Sequence, residues 1–372
     1  MNCVAPSRDS GVLAASRGSA VALKDRFSRA KNQSAWPPLE EDLATAPSLI
    51  ASDEGSVPTS VSIVSEAAGP TGGDAERQWA EEFASVRQWQ RGSERAPHKP
   101  LLLLFALGRL QQTGSSATRF AEAEPDLKRL LDEFGPPRSS SPVYPFHHLR
   151  SDGFWSVTTQ DGSDPGASLT ALRSSQATGR LSAELEQDAA SNPSLIPELA
   201  RILLAANWPP TLHTDILDAV GLELDSHAGG SDLSGSERRR RDPRFRDRVL
   251  VAYEYRCAFC GYDGRLAGDT VALEAAHVQW HSSDGPDSVE NALCLCSLHH
   301  KLLDLGVMGL TPDHEVAVST RFVGQGDIAE LMVLDLVGRP IRAPQTGEPR
   351  VVGEFIDWHG AQVFRSPARQ TT

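Results

Sequence analysis

Residues 257–304 decide the reading of this chain. They run C-A-F-C from Cys257, L-E-A-A-H-V from Leu273, and N-A-L-C-L-C-S-L-H-H-K-L-L-D from Asn291. Cys257 and Cys260 form a C-x2-C pair, and Cys296 and His299 a C-x2-H pair further on. Two such pairs supply the four sulfur and imidazole donors of a tetrahedral site, which suits zinc and leaves no open position. Cys294 is the alternative to Cys296, but C-x2-H is the spacing that fits a knuckle. In a small domain such a closed site supplies folding energy that the core cannot.

A second polar set is interleaved with these ligands and is not needed by them: His277, Asn291 and His300. His277 ends an expected strand, and His300 falls on an expected short helix. Phosphodiester hydrolysis needs a base that titrates near neutrality, for which imidazole is suited. It also needs a hard cation to offset charge on the phosphate and the leaving oxygen. On this reading His277 takes a proton from water and Asn291 orients it. His300 holds a divalent cation with Glu274 or another oxygen donor. The competing reading is a purely structural zinc knuckle with no activity.

Composition narrows the setting. The net charge is −13, which taken alone argues against nucleic acid. The charge is uneven, however. Arg87, Arg91, Arg95, Lys99 and Arg109 face only Glu94 within 87–109, and the segment 238–248 is dominated by arginine. Such local basic patches suit a polyanion bound at defined places. Four of the five cysteines lie within Cys257–Cys296, which is metal-site usage in a reducing compartment. No apolar run is long enough for a membrane span, and no signal peptide is expected, so a cytoplasmic protein is anticipated.

Taken in order, residues 1–78 read as a disordered leader, residues 79–225 as one mostly helical domain, and 226–245 as a Gly/Ser and Arg-rich linker. The metal domain is expected over 246–325, with a C-terminal extension, 326–372, packed on it. Within 79–225, helices are expected from Leu101, over 125–134, 168–175, 180–190, 194–206 and 211–220. The stretch P-V-Y-P-F-H-H-L from Pro142 is expected to be extended, turning at Asp152-Gly153 into a strand. His98 and Lys99 at a helix start can meet a phosphate. Tyr144-Pro145-Phe146 is either an exposed apolar platform or core.

Residues 257–310 resemble the HNH, or ββα-metal, nuclease family, with His277, Asn291 and His300 as the H-N-H residues. The likeness is to the nuclease domains of bacterial modification-dependent restriction enzymes. Asn291-Ala292 stands where the family often has Asn-Gly. Ala276 stands where many members have an acid before the first His, and Leu303-Asp304 where many have Phe-Asp. Residues from about 85 to 222 resemble the sulfur-binding domain of phosphorothioate-dependent type IV restriction endonucleases. The matching elements are R-A-P-H-K-P with its leucines, Y-P-F-H-H-L, and P-T-L-H-T-D-I-L-D-A-V-G-L from Pro210. In that family an apolar pocket with a proline and a tyrosine receives the sulfur, and basic groups hold the backbone. Carried over, Tyr144 and Pro145 line the pocket, while His98, Lys99 and Arg173 contact DNA.

The resemblance implies an α+β, multidomain chain: a mainly helical sulfur-binding domain with a small sheet, then a zinc-stabilised HNH domain. It implies an endonuclease of phosphorothioated double-stranded DNA. The cofactors would be a structural Zn2+ and a catalytic divalent cation such as Mg2+ or Mn2+, and a homodimer is compatible with cutting both strands. Two other readings stay open: an HNH nuclease directed to another modification such as methylcytosine, and a non-catalytic zinc-containing DNA-binding protein.

Overall fold

The computed structural model describes residues 72–86, 90–91, 94–224 and 242–370. Residues 1–71 of the expected leader, 226–241 of the expected linker, and residues 87–89, 92–93 and 238–241 of the two arginine-rich segments lie outside these residues. The described chain is α+β and has two apolar cores.

The first core is helical. The run L-L-L-L-F-A-L sits on the helix His98–Thr113, buried on nearly every side, so it forms the spine of this part. Against it pack Phe120–Phe134, Val143–His148, Leu195–Asn207 and Pro210–Val220. A small antiparallel sheet of Thr118–Arg119, Thr178–Leu181 and Trp155–Thr158 closes one side, with Thr178–Leu181 in the middle. The helix Gly72–Ala84 packs on Leu195–Asn207 through Trp79 and Phe83, so helical structure starts within what reads as leader.

Three local expectations are corrected. The helix expected to start at Pro125 begins at Phe120 instead. Burial of Phe120 and Ala123 offsets the one backbone bond that Pro125 cannot make. Residues 143–148, expected to be extended, form the helix Val143–His148, with Pro142 at its N-cap. Pro145 lies in its first turn, where amides have no intrahelical partner anyway. Val143 and Phe146, three apart, then share a buried face. Finally, the helix expected over 180–190 starts at Ala183, because 178–181 is a strand and Ser182 caps the helix by accepting from the Leu185 amide.

Gly179 ties the sheet to the Tyr144 helix. A Cβ there would lie 2.2 Å from Trp155 and 2.8 Å from Phe146. Those two rings meet edge to face, and the Trp155 indole donates to the Phe146 carbonyl at 3.0 Å. Only glycine permits this three-way contact.

The second core is built around the hairpin Leu273–His277 with Ala292–Cys296, followed by the helix Ser297–Asp304. The helix Phe245–Ala252 covers the hairpin. Val333, Leu336, Val351, Phe355 and Ile356 from the C-terminal segment complete this core. Among the described residues no helix is long and apolar enough to cross a membrane.

Candidate active site and metal centre

The Cys257–Gly261 turn closes with the Gly261 amide donating to the Cys257 carbonyl at 2.9 Å, and Gly261 takes a positive φ of 77°. This knuckle faces the end of the strand Ala292–Cys296 and the first turn of the following helix. The ligand atoms of Cys257, Cys260, Cys296 and His299 all lie within 4.8 Å of one another. His299 points Nδ1 at the sulfurs, 3.5 Å from Cys257 and 3.2 Å from Cys296. Its Nε2 lies 2.7 Å from the Met332 carbonyl. An N–H donated there leaves the Nδ1 lone pair for a metal, the usual outer-shell arrangement of a ligating histidine. Hydrogen bonds from Cys260 and Cys296 hold the Cys257 thiol far below its ordinary range. Three thiols and an imidazole at this spacing fit a structural zinc. Cys294, the alternative ligand, pairs with Ala275, is fully buried, and is not one of the four residues whose ligand atoms cluster.

The second polar set is split by the same helix. Successive residues of an α-helix point about 100° apart, so His299 faces the sulfurs while His300 faces the hairpin. His300 Nδ1 lies 2.6 Å from a Glu274 oxygen, and Nε2 lies 3.3 Å from an Asp304 oxygen. Burial lowers the proton affinity of His300, but Asp304 and Glu274 outweigh it, and its pKa lies above the usual 6.5. The hydrogen bond from His300 holds the Glu274 carboxyl below its ordinary range. Asp304 is 3% exposed, and burial pushes its carboxyl up. Trp280 donates to its Oδ1 at 3.1 Å, and Thr211 donates to Oδ2.

His277 ends its strand as expected. Its Nε2 lies 2.8 Å from Asp287 Oδ1, and its ring stacks on Phe245 with centroids 4.4 Å apart. Burial alone would raise Asp287, but hydrogen bonds from the Asp242 amide and from His277 hold it below the usual carboxylate range. Asn291 is fully buried. Its oxygen accepts from the Gln279 amide at 2.8 Å, and its nitrogen donates to the Gln279 and Pro286 carbonyls at 2.9 and 3.1 Å. The side chain therefore ties both ends of the loop that carries Asp287. Gly285 makes room for this tie: a Cβ there would lie 2.8 Å from the Asn291 amide nitrogen and 1.8 Å from the Gln279 carbonyl. Asn291 shapes the loop that brings Asp287 within hydrogen-bond distance of His277.

In the helical part, Tyr144 is 42% exposed, with its ring 4.6 Å from His148 and 6.2 Å from His98 by centroid. Pro145 is buried beneath it. His98 is mostly buried, and burial with the nearby Arg138 lowers its pKa to about 4, so it is neutral near pH 7. Its Nε2 has no hydrogen-bond partner among the described residues.

Two residues expected to contact DNA are ion-paired within the chain. Lys99 is 7% exposed, and its ammonium pairs with buried Asp152. A lysine at a helix start reads as solvated, but its stem here enters the core and needs a counter-charge. Arg173 is exposed, yet its guanidinium makes a two-pronged pair with Glu124, at 2.7 and 2.8 Å. The sequence reading missed Asp287, Asp304 as a buried partner of His300, and Asp152. The acid in the G-P-D-S loop before Asn291 and the acid ending H-H-K-L-L-D were the legible signals among these.

Residues 76–225 match the family model described as ScoMcrA-like, DNA sulfur-binding domain. Residues 257–311 match the HNH endonuclease model. Among solved structures, the sulfur-binding domain of SprMcrA complexed with phosphorothioated DNA is similar at 19% identity and a TM-score of 0.36, covering 41% of this chain and 98% of that one. The corresponding domain of ScoMcrA is similar at 23% identity and a TM-score of 0.32, covering 38% of this chain and 94% of that one. The type IV phosphorothioation-dependent restriction endonuclease ScoMcrA is similar at 20% identity and a TM-score of 0.30, over 38% of this chain and 27% of that one. No curated protein matches the chain.

Proposed function

Because the chain joins a ScoMcrA-like DNA sulfur-binding domain to an HNH endonuclease domain, we propose that it is a modification-dependent endonuclease. It recognises phosphorothioated duplex DNA through residues 79–225 and hydrolyses nearby phosphodiester bonds through residues 246–325. The observation that carries the catalytic half is the two-sided hairpin site. His277 with Asp287 stands at the end of one strand, and Glu274 with His300 and Asp304 lies between that strand and the helix.

In this mechanism His277 accepts the proton of the attacking water, with Asp287 fixing the ring and meeting the charge it gains. Asn291 keeps the loop of Asp287 in register. Glu274 and Nδ1 of His300 are a hard carboxylate and an imidazole within 2.6 Å, a donor set that fits one divalent cation in place of the shared proton. When bound, a cation such as Mg2+ or Mn2+ supplies charge neutralisation at the phosphate and the leaving oxygen. Nε2 of His300 then donates to Asp304.

For recognition, Tyr144 and Pro145 offer an apolar wall and His98 a neutral imidazole. Sulfur is larger, softer and less hydrated than oxygen, so such a wall favours it over a phosphate oxygen. Charge on the backbone would be met by the arginine-rich segments rather than by Lys99 or Arg173, whose charges are already paired. Cutting both strands calls for two nuclease sites, which a homodimer would bring.

The deciding test is binding of matched duplexes with and without one phosphorothioate, followed by cleavage in Mg2+ or Mn2+. Tighter binding and cutting of the modified duplex is expected. Equal affinity for both sinks the sulfur reading and favours another modification, such as methylcytosine. Cleavage that persists in His277→Ala sinks the catalytic assignment, and no cleavage by wild type leaves a zinc-stabilised DNA-binding protein.

A further inference from the structure

The motif P-T-L-H-T-D-I-L begins at Pro210. It lies on the helix Pro210–Val220, which packs on the helix Ser297–Asp304 of the nuclease domain. Two of its polar side chains are committed there. Thr211 donates its hydroxyl to Asp304 Oδ2, while its carbonyl accepts from Lys301. Asp215 pairs with the same Lys301 ammonium at 2.5 Å. Around this polar seam the contact is extensive. Trp280 and Leu305 pack against the helical core. Arg138 donates to Gln362 at 3.1 Å and Arg365 to the Glu133 carbonyl at 2.5 Å. A cavity of about 30 Å³ between the two parts is lined by Asp304, Trp280, Asn207 and Leu212.

Asp304 is where this seam touches the chemistry. Its Oδ2 receives the Thr211 hydroxyl and also faces His300 Nε2 at 3.3 Å. Its Oδ1 is taken by Trp280. With both oxygens directed by donors, the carboxylate has one setting, and His300 has one ring orientation that keeps Nδ1 on Glu274. A buried carboxylate that loses a donor gains the cost of an unmet hydrogen-bonding position. It then turns toward its remaining partners, and His300 turns with it.

We infer that Thr211, a residue of the sulfur-binding domain, is a positioning residue of the nuclease site: its hydroxyl sets Asp304, which sets His300. The nuclease site is therefore complete only when the two domains are docked as they are here. This inference rests on the reading of His300 as a nuclease residue. It adds that the recognition domain supplies part of the support of that residue as well as the choice of target.

The test uses the full-length protein with Thr211→Val, which removes the hydroxyl at nearly constant volume, and Thr211→Ser, which keeps it. Affinity for a phosphorothioated duplex and KM should be unchanged in both, because the side chain of Thr211 is bonded to Asp304 while the ring neighbours of Tyr144 are His98 and His148. The single-turnover cleavage rate should fall about 10- to 100-fold in Thr211→Val, the usual loss when such an outer support is removed, and return to within a few-fold in Thr211→Ser. A second readout does not depend on cleavage. In histidine-labelled, zinc-loaded protein without added Mg2+ or Mn2+, the ring nitrogen signals of His300, assigned with His300→Ala, should shift in Thr211→Val and recover in Thr211→Ser. Unmoved His300 signals overturn the inference, even if Thr211→Val melts earlier, because Thr211 is then only a packing contact. A wild-type protein that cuts no duplex overturns the nuclease reading instead, and the His300 signals still decide the positioning role.

Discussion

His299 and His300 are neighbours in the chain and opposites in setting. His299 is fully buried among three sulfurs, with its outer nitrogen on a backbone carbonyl. His300 lies between two carboxylates, one of them, Glu274, partly exposed. The first set is soft and closed, so it can only hold a metal and the chain around it. The second is hard and reaches solvent through Glu274, so it can hold a cation that must also meet a substrate. A single residue step separates the duties because adjacent residues diverge by about 100°. Stability and chemistry can share a helix if they occupy different faces of it.

The largest break in this comparison should come from Cys257→Ser or from chelation of the structural metal. Zinc in small modules contributes about 10–16 kcal/mol of apparent binding energy. The second core should therefore lose its cooperative unfolding transition, while the helical core, which has its own leucine spine, keeps its circular dichroism signal. Calorimetry of the two proteins reads this directly.

Next in size is His277→Ala, expected to lower the cleavage rate about 10²- to 10⁴-fold, the usual worth of a positioned base, with the melting temperature nearly unchanged. Asp287→Asn should show a smaller loss and a shifted pH–rate profile, since only the partner of the base changes. If His277→Ala unfolds the domain instead, the division of labour between the two sets is wrong.

Acid should separate the regions further. His359 is 2% exposed and donates toward the Leu303 carbonyl at 3.0 Å, and burial lowers its pKa to about 4. Between pH 6.5 and 4 the unfolded chain binds a proton there that the folded chain does not. Stability is then flat above that window and falls as pH drops through it, by about 3 kcal/mol in full. Urea midpoints measured from pH 7.5 to 5 should decline in wild type and decline less in His359→Gln.

The smallest effects concern recognition. Tyr144→Ala should weaken binding of the modified duplex about tenfold, in the range for losing an aromatic platform. Arg173→Ala should change it less than about twofold, because its charge is already met by Glu124. A large loss at Arg173 would show that the ion pair opens on DNA.

The clustering of Cys257, Cys260, Cys296 and His299 was legible, as was the strand-end place of His277, because the spacing is local: each pair sits on one knuckle, hairpin or helix turn. What stayed hidden depends on contacts across the fold. Asp287 reaches His277 only because Asn291 and Gly285 fold the loop back. Thr211 and Asp304 lie in different domains, and no periodicity relates them. Lys99 looked like a surface cation because a helix start is usually wet, and only the position of Asp152 shows its stem entering the core. The Tyr144 segment looked extended because prolines break helices, but in a first turn they break nothing.

Trp280 gives the seam between the two cores an optical property. Its indole N–H is held by Asp304, its ring meets Trp358 edge-on at 5.8 Å, and it packs against the helical core. An indole in such a place changes its emission when either neighbour moves. The protein therefore carries its own fluorophore at the junction, and stopped-flow emission with Trp280→Phe as the blank can time undocking against strand scission, without any attached dye.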